Sequence, residues 1–310
     1  MGPGTASAAA DGEGNASTRL ALAAEEGELG EVRRLLVTPG VDVNCTNEEG
    51  RTPLFIAAFW GQVEVVRELL GVQGVQVNRA SNDGETPLFQ ASQNGETEVV
   101  RALLAVRGID INRANNDHWT PLLIAAGEGH TEVVRALLAA RGIEVDKADD
   151  KRRTPLYFAA ENGQTEVVRL LLAAPGINVN KAHRNRATAL YVASGEGHVD
   201  VVRLLLAAKG INVNKANKYG RTPLYGASRY GHTEVVKELL AVPGININKA
   251  NENGATPLYV ARNGEIESML RAAGALDIMP RTADERGLLT REGHAPSKKS
   301  IAQKLQMNSS

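Results

Sequence analysis

Histidine is among the residues most often used for metal binding and proton transfer, and three recur in register in this chain: His130, His198 and His232. Their separations of 68 and 34 residues place each at the same point of a pattern with period 34. Equivalent side chains of stacked repeats lie too far apart to share a metal ion, whose ligand bonds are about 2 Å long. We therefore interpret the histidines as helix-start residues that pack on the preceding turn, and we expect no metal site.

Two other features that resemble catalytic motifs have structural explanations. Gly195-Glu196-Gly197 lacks the third glycine and the preceding strand of a dinucleotide site, so it is read as a helix-ending turn. One acidic residue per repeat stands where it favours the positive end of a helix: Glu64, Glu98, Glu132, Glu166, Asp200 and Glu234. Because no nucleophile is paired with a base, we expect no enzyme activity, no cofactor and no small-molecule substrate.

The pattern that positions these residues is the triplet Thr-Pro-Leu, which returns every 34 residues. Threonine is a good helix N-cap, and proline is tolerated at the first helical position. In each repeat a second helix follows with one apolar stripe, such as Val99, Val100, Leu103 and Leu104. A fixed period of this length indicates stacked helix pairs in place of one globular core. The repeats begin at residues 18, 52, 86, 120, 154, 188, 222 and 256.

The repeat resembles the ankyrin repeat in its Thr-Pro-Leu opening, its Glu-Val-Val-Arg-x-Leu-Leu helix and the Val-Asn that follows. The resemblance covers residues 18–277 and implies an all-α repeat solenoid of helix–turn–helix units with β-turn or hairpin tips. It also implies a non-enzymatic protein–protein interaction scaffold or adaptor, with the partner along the turn tips and the short first helices of a concave groove.

The sequence departs from the family pattern in two ways. The period is 34 residues, against the usual ankyrin period of about 33. The family's histidine after Thr-Pro-Leu is replaced by Phe, Leu or Tyr, from Phe55 to Tyr259. We expect aromatic packing or a tyrosine hydroxyl to substitute for the imidazole contact between neighbouring repeats.

Composition and charge indicate the compartment of the chain and the classes of partner to expect. The net charge is −1, which gives no global attraction to nucleic acid or membrane. No run of about 18 apolar residues is present, so we expect no membrane span. Cys45 is the only cysteine, which fits a reducing compartment, the cytoplasm or nucleus. Residues 1–17 and the polar residues 278–310 are expected to be disordered.

The turn tips are the first candidate contact surface. Most repeats place glycine two residues before the threonine, where a positive φ is suited to it, but three have His118, Arg152 and Arg186. If the turn keeps its shape, each replacement costs about 1 kcal/mol. We interpret the central tips as a contact for an acidic or phosphorylated segment of another protein, with drifted, solvated loops as the alternative. The residues concerned are Trp119, Lys151, Arg152, Arg153, Arg184, Arg186, Lys218, Tyr219 and Arg221.

The second candidate surface lies in the first helices. The pair after Ala-Ala is small or polar in most repeats, but it is Phe59-Trp60 in the second and Arg229-Tyr230 in the seventh. Large aromatic residues at exposed groove positions are typical of binding anchors, and packing within the chain is the alternative. Gly226, where other repeats have Ile, Val, Phe or Gln, is expected to leave a gap and to weaken the seventh repeat by about 1 kcal/mol.

Two other functions remain open. The basic tips are the candidate surface for nucleic acid, although phosphate binding normally requires a broader basic face. The chain is also compatible with a recruiting adaptor subunit of an enzyme complex, in which residues 278–310 carry a second interaction.

Overall fold

The structure, a computed structural model, describes residues 16–278; most of the two segments expected to be disordered, 1–17 and 278–310, lies outside the described residues. Within 16–278 the regular structure is entirely helical, in agreement with the expected all-α repeat solenoid. The helices are α1 Ala16–Glu26, α2 Leu29–Leu36, α3 Pro53–Phe59, α4 Val63–Leu70, α5 Pro87–Asn94, α6 Thr97–Leu104, α7 Pro121–Glu128, α8 Thr131–Ala139, α9 Pro155–Glu161, α10 Thr165–Ala173, α11 Ala189–Glu196, α12 Val199–Ala207, α13 Pro223–Tyr230, α14 Thr233–Leu240 and α15 Gly264–Ala272.

From the second to the seventh repeat, the threonine that opens the repeat is the N-cap of its first helix, as predicted. In the first repeat, Thr18 instead lies inside α1, which begins at Ala16. Thr86 Oγ1 accepts a hydrogen bond from the backbone N–H of Phe89 at 3.1 Å, and Thr222 Oγ1 accepts one from Tyr225 at 3.2 Å. The bond satisfies one of the backbone donors that an α-helix leaves unpaired in its first turn. Gly95 then ends α5 with a left-handed φ of 78°.

The second helix of each repeat buries one apolar stripe. In α6, Val99, Val100 and Leu103 are fully buried, as the 3.6-residue spacing predicts. The acid of its first turn, Glu98, is exposed and forms an ion pair with Arg101 three residues later. The helix ends at Leu104, and Gly108 lies four residues further on, in the following turn with φ 88°.

The eighth repeat is reduced. Residues 257–260, the place of its first helix, form turns without an α-helix, and α15 then takes the place of the second helix. Asn263 caps α15 by accepting a hydrogen bond from the N–H of Ile266 at 2.8 Å. Only Ile266 and Leu270 of this helix are buried, so its apolar stripe is narrower than that of α6.

The chain forms two compact bodies that divide between Asn116 and Asp117. In the N-terminal body, α1 packs on α3 and α3 on α5. In the C-terminal body, α7 packs on α9, α9 on α11 and α11 on α13. Each body therefore contains its own series of first helices in contact.

An asparagine links each repeat to the next in the C-terminal body. Asn180 Nδ2 donates to the carbonyl of Gly210 at 2.7 Å, and Asn180 Oδ1 accepts from the N–H of Asn212 at 2.9 Å. At the equivalent place one repeat earlier stands Asp146, which accepts from the N–H of Asn178 at 2.9 Å. Its other oxygen is buried and has no hydrogen-bond partner, because a carboxylate has no proton to donate.

Successive tips of the C-terminal body are joined through their backbones. The N–H of Arg184 donates to the carbonyl of Lys151 at 2.8 Å, and the N–H of Lys218 donates to that of Asn185 at 2.6 Å. Each tip is itself a turn closed by a backbone bond, as between Arg186 N–H and the carbonyl of His183 at 2.8 Å. The tips therefore form a connected edge.

Aromatic residues make contacts between neighbouring repeats where the family pattern has histidine. Asn251 Nδ2 in the next tip donates to Tyr225 Oη at 3.2 Å. Tyr157 stacks on His183 of the next tip, with ring centroids 5.4 Å apart. Both of the expected substitutes, a hydroxyl bond and ring packing, thus occur in the C-terminal body.

Candidate functional site

The tips that lack glycine two residues before the threonine have the same backbone conformation as the tips that contain it. His118, Arg152 and Arg186 have φ of 61°, 65° and 66°, and Gly84 and Gly220 have 77° and 76°. Because these turns keep their shape, each of the three residues carries about 1 kcal/mol of backbone strain. All three residues are exposed.

Arg153 is held by contacts within its own region of the C-terminal body. Its Nη2 lies 2.6 Å from Asp149 Oδ2, and its guanidinium lies over the Phe158 ring at 4.4 Å and the Trp119 ring at 5.7 Å. Trp119 also packs edge-on against Phe158, with ring centroids 5.4 Å apart. Arg153 and Trp119 are both half-buried and form a partly exposed cluster with Phe158, and both remain predicted contact residues.

Phe59 and Trp60 lie at the end of α3 in the N-terminal body. Their rings meet edge-to-face with centroids 5.0 Å apart. Phe59 is half-buried, whereas Trp60 is 53% exposed. Of this pair, Trp60 is the side chain that presents a large apolar surface to solvent.

A groove of about 750 Å³ opens in the C-terminal body. Its walls come from α11, from α13 and from two successive tips, which contribute residues 183–185, 187, 217–219 and 221. Four cationic side chains and one carboxylate, that of Glu196, contribute to the lining. The cations are those of Arg184, Lys218, Arg221 and Arg229.

Arg229 differs from its predicted environment. Its place in the sequence pattern predicted an exposed side chain, but Arg229 is only 8% exposed. Within residues 16–278 its guanidinium has no hydrogen bond or ion pair, although it lines the groove. Tyr230, the next residue, is 44% exposed and lines the same groove, as expected for a contact residue.

The tip at the edge of the groove arranges two cations around one ring. Lys218 Nζ lies 4.7 Å and Arg221 Cζ 5.0 Å from the centroid of Tyr219, which is 37% exposed. Arg221 also lies 5.8 Å from the Tyr225 ring, and its Nε is buried without a hydrogen-bond partner. Cation–π contacts of this kind hold a charged side chain in place and leave its outer face to solvent.

Two groove tyrosines remain neutral far above physiological pH. Burial raises the pKa of Tyr191 to about 12, and it raises that of Tyr157 further still. Both hydroxyls are therefore neutral at pH 7. The sequence analysis did not assign either residue to a site, although tyrosine after Thr-x-Leu in successive repeats was the available signal.

Two of the recurrent histidines pack on the preceding repeat, as interpreted. His198 Nε2 lies 3.1 Å from the carbonyl of Glu161, and His232 Nε2 lies 2.8 Å from that of Gly195. Both histidines immediately precede a second helix and contact the C-terminal end of the first helix of the preceding repeat. Among residues 16–278 no group of three or more His, Cys, Asp or Glu side chains is arranged to hold a metal ion.

The candidate residues thus fall into four places. Phe59 and Trp60 are in the N-terminal body, and Trp119 and Arg153 form the partly exposed cluster with Phe158. Lys151, Arg152 and Arg186 lie at tips outside the groove lining. The remaining candidates line the one groove: Arg184, Lys218, Tyr219, Arg221, Arg229 and Tyr230.

Comparison with known proteins gives a family assignment for the repeats. The family described as "Ankyrin repeats (3 copies)" matches residues 20–115, 107–183, 175–251 and 217–275. The matched segments together cover most of the chain. No curated protein matches it. In the part of the chain that the structure describes, no helix has the length and apolar character needed to cross a membrane.

Proposed function

We propose, from the premise that this chain belongs to the ankyrin-repeat family, that it is a non-enzymatic scaffold or adaptor that binds a partner protein. Ankyrin repeats are in general protein–protein interaction modules. The observation that carries the proposal is the convergence of six sequence-selected residues on one groove of the C-terminal body. Aromatic rings and arginine are the residue types enriched where binding energy is concentrated.

The composition of the groove favours a protein partner with acidic residues. Four cations against one carboxylate give the lining a positive balance, while Tyr219 and Tyr230 offer apolar faces. A nucleic acid is less well matched, because the net charge of the chain is −1 and Glu196 lies within the lining. The reducing compartments, cytoplasm or nucleus, are part of the proposal because Cys45 has no second cysteine to pair with.

Quantitative affinity capture tests this function. Capture with the intact chain is compared with capture by a Lys218→Glu, Tyr230→Ala variant, and Arg141→Glu serves as a control at an exposed residue outside the groove lining. We expect a defined set of proteins that the groove variant loses and the control retains. An identical set with all three baits would show that the groove is not the contact surface.

Retention on RNA or DNA at physiological salt would favour the nucleic-acid alternative. Binding of the chain to a nucleic acid would weaken steeply as the salt concentration rises. The adaptor alternative that involves residues 278–310 is tested by the same capture with that segment removed, because a second set of partners would then disappear independently of the groove.

A further inference from the structure

We infer that Arg229 is the binding residue for one carboxylate side chain of an extended acidic segment in the partner. The inference rests on the proposed function and assigns a ligand chemistry to the groove. It follows from the burial and lack of partners of Arg229, the space that Gly195 leaves in the groove lining and the other charges of the lining.

Arg229 is mostly buried and has no partner among the described residues. A guanidinium is charged at any physiological pH, so it cannot escape the cost of burial by losing a proton. Charges that are largely buried are normally paired, because burial removes part of their hydration. Arg229 is 8% exposed and has neither a hydrogen bond nor an ion pair within residues 16–278, and its guanidinium nitrogens keep some contact with solvent.

The position of Arg229 in α13 offsets only part of the cost of burying its charge. It lies in the last turn of the helix, where the partial negative charge of the helix end favours a cation. That effect is small beside the loss of hydration of an unpaired buried ion. A stable chain that keeps such a group facing a groove is expected to use it for an anion that arrives with a ligand.

One of the residues that line the groove together with Arg229 is a glycine, Gly195. A Cβ on Gly195 would lie 3.8 Å from the Tyr230 ring, so its absence leaves space beside that ring. Gly226 is buried behind Gly195, where a Cβ would lie 3.8 Å from the Cα of Gly195 and 3.8 Å from Tyr191 Cε2. In the repeat before, the place of Gly226 is taken by Val192.

The charges of the lining select a carboxylate over a dianion. One guanidinium matches one planar carboxylate through two parallel hydrogen bonds. Glu196 in the same lining repels a phosphate dianion more strongly than a carboxylate. The exposed cations Arg184 and Lys218 lie at the two tips, where further acidic residues of an extended segment would meet them.

Peptide display tests the inference, with a library of random twelve-residue peptides as the probe. Selections run in parallel on the full chain, on Arg229→Met and on the exposed control Arg141→Met. Peptides enriched by the intact chain and by the control should share an Asp or Glu beside a large apolar residue, and Arg229→Met should not enrich them. For one such synthetic peptide, dissociation constants should rise about tenfold with Arg229→Met, and Arg229→Lys should have a smaller effect.

A double-mutant cycle separates a direct contact from a general effect of charge. Changing the acid of the peptide to its amide should weaken binding to the intact chain about tenfold and should have little further effect on Arg229→Met. Arg229→Met should melt at the same or a higher temperature, because it removes an unpaired buried charge. A lower melting temperature with unchanged affinity would mean that Arg229 serves the fold alone.

The outcomes distinguish this inference from the proposed function. If peptides are enriched equally by the intact chain and Arg229→Met, the groove binds protein but not through Arg229, and only the inference fails. If phosphoserine in place of the peptide's acid binds more tightly, the assignment to a carboxylate fails. If no peptide is enriched by any bait, the proposed function fails with it.

Discussion

Asp149 and Arg153 form an ion pair within a single tip: Nη2 lies 2.6 Å from Oδ2, and the backbone N–H of Arg153 donates to Oδ1 at 2.7 Å. The Asp149 side chain is fully buried. At the equivalent place of another tip, Asn217 Oδ1 accepts from the N–H of Arg221 at 3.1 Å. The carboxylate at 149 performs the same turn-closing role and additionally binds a cation, which fixes the position of the Arg153 guanidinium.

Arg153→Ala should therefore destabilise the protein, by about 2 kcal/mol, because it leaves a buried carboxylate without its cation. Its neighbour offers a matched comparison. Arg152→Gly should stabilise by about 1 kcal/mol, since glycine adopts the φ of 65° without strain. Urea denaturation of both variants measures the two effects. If Arg153→Ala is as stable as the unchanged chain, the ion pair between Asp149 and Arg153 does not stabilise the fold.

Asp146→Asn should stabilise the protein by about 1 kcal/mol at neutral pH, because asparagine supplies the donor that the equivalent Asn180 directs to a glycine carbonyl. Burial raises the pKa of Asp146, so its neutral form is favoured in the folded state. The penalty of Asp146 is therefore present above its folded pKa and disappears as pH falls through it. The gain from Asp146→Asn should shrink in the same range.

The reciprocal variant is the control for that prediction. Asn180→Asp should destabilise at neutral pH and recover as the pH is lowered, since it creates the same buried oxygen without a donor. Free energies of unfolding at a series of pH values measure both variants. A pH-independent difference for both would show that protonation of this position is not involved.

Gly226→Ala should raise the free energy of unfolding by about 1 kcal/mol, because alanine is favoured inside a helix and its Cβ has space, with the nearest atoms at 3.8 Å. In the same helix, Gly231→Ala should lower it by about 1 kcal/mol, since Gly231 ends α13 with φ 84°. Thermal melting distinguishes the two. A loss of stability in Gly226→Ala would mean that helices α11 and α13 require the glycine for close packing.

Tyr191 should ionise late in the folded chain. The reference pKa of a tyrosine side chain is about 10, whereas Tyr191 should lose its proton at about 12. Because its folded pKa is raised, the associated stability is present below about pH 10 and is lost as pH rises toward 12. Ultraviolet absorbance of tyrosinate follows the process, and Tyr191→Phe should remove part of the late stage. A single transition near pH 10 in a chain still folded would contradict the burial.

The repeats were predictable from sequence because the same residues recur in the same local roles. A threonine cap, a proline and an apolar stripe are local signals, and Thr86, Thr222 and Val99 lie where these signals place them. The positive φ of Arg152 was also predictable, because the neighbouring residues form the turn and the Arg152 side chain does not alter it. These features depend on contacts within one repeat.

The site was less predictable because it depends on contacts between repeats. The burial of Arg229 and the pairing of Arg153 with Asp149 follow from which side chains meet after stacking. Tyr191 was missed for the same reason: its substitution for the family's histidine was visible, but its place in a groove was not. The period of 34 residues shows which residues occupy equivalent positions, but it does not show which side chains of the neighbouring repeats they contact.

The backbone bonds between successive tips, such as that from Lys218 N–H to the carbonyl of Asn185 at 2.6 Å, have a mechanical consequence. A tip that is pulled by a bound molecule transmits the load to its neighbour through the main chain and not only through side chains. The groove edge should therefore resist tension as a linked series, and rupture should begin where a link is absent.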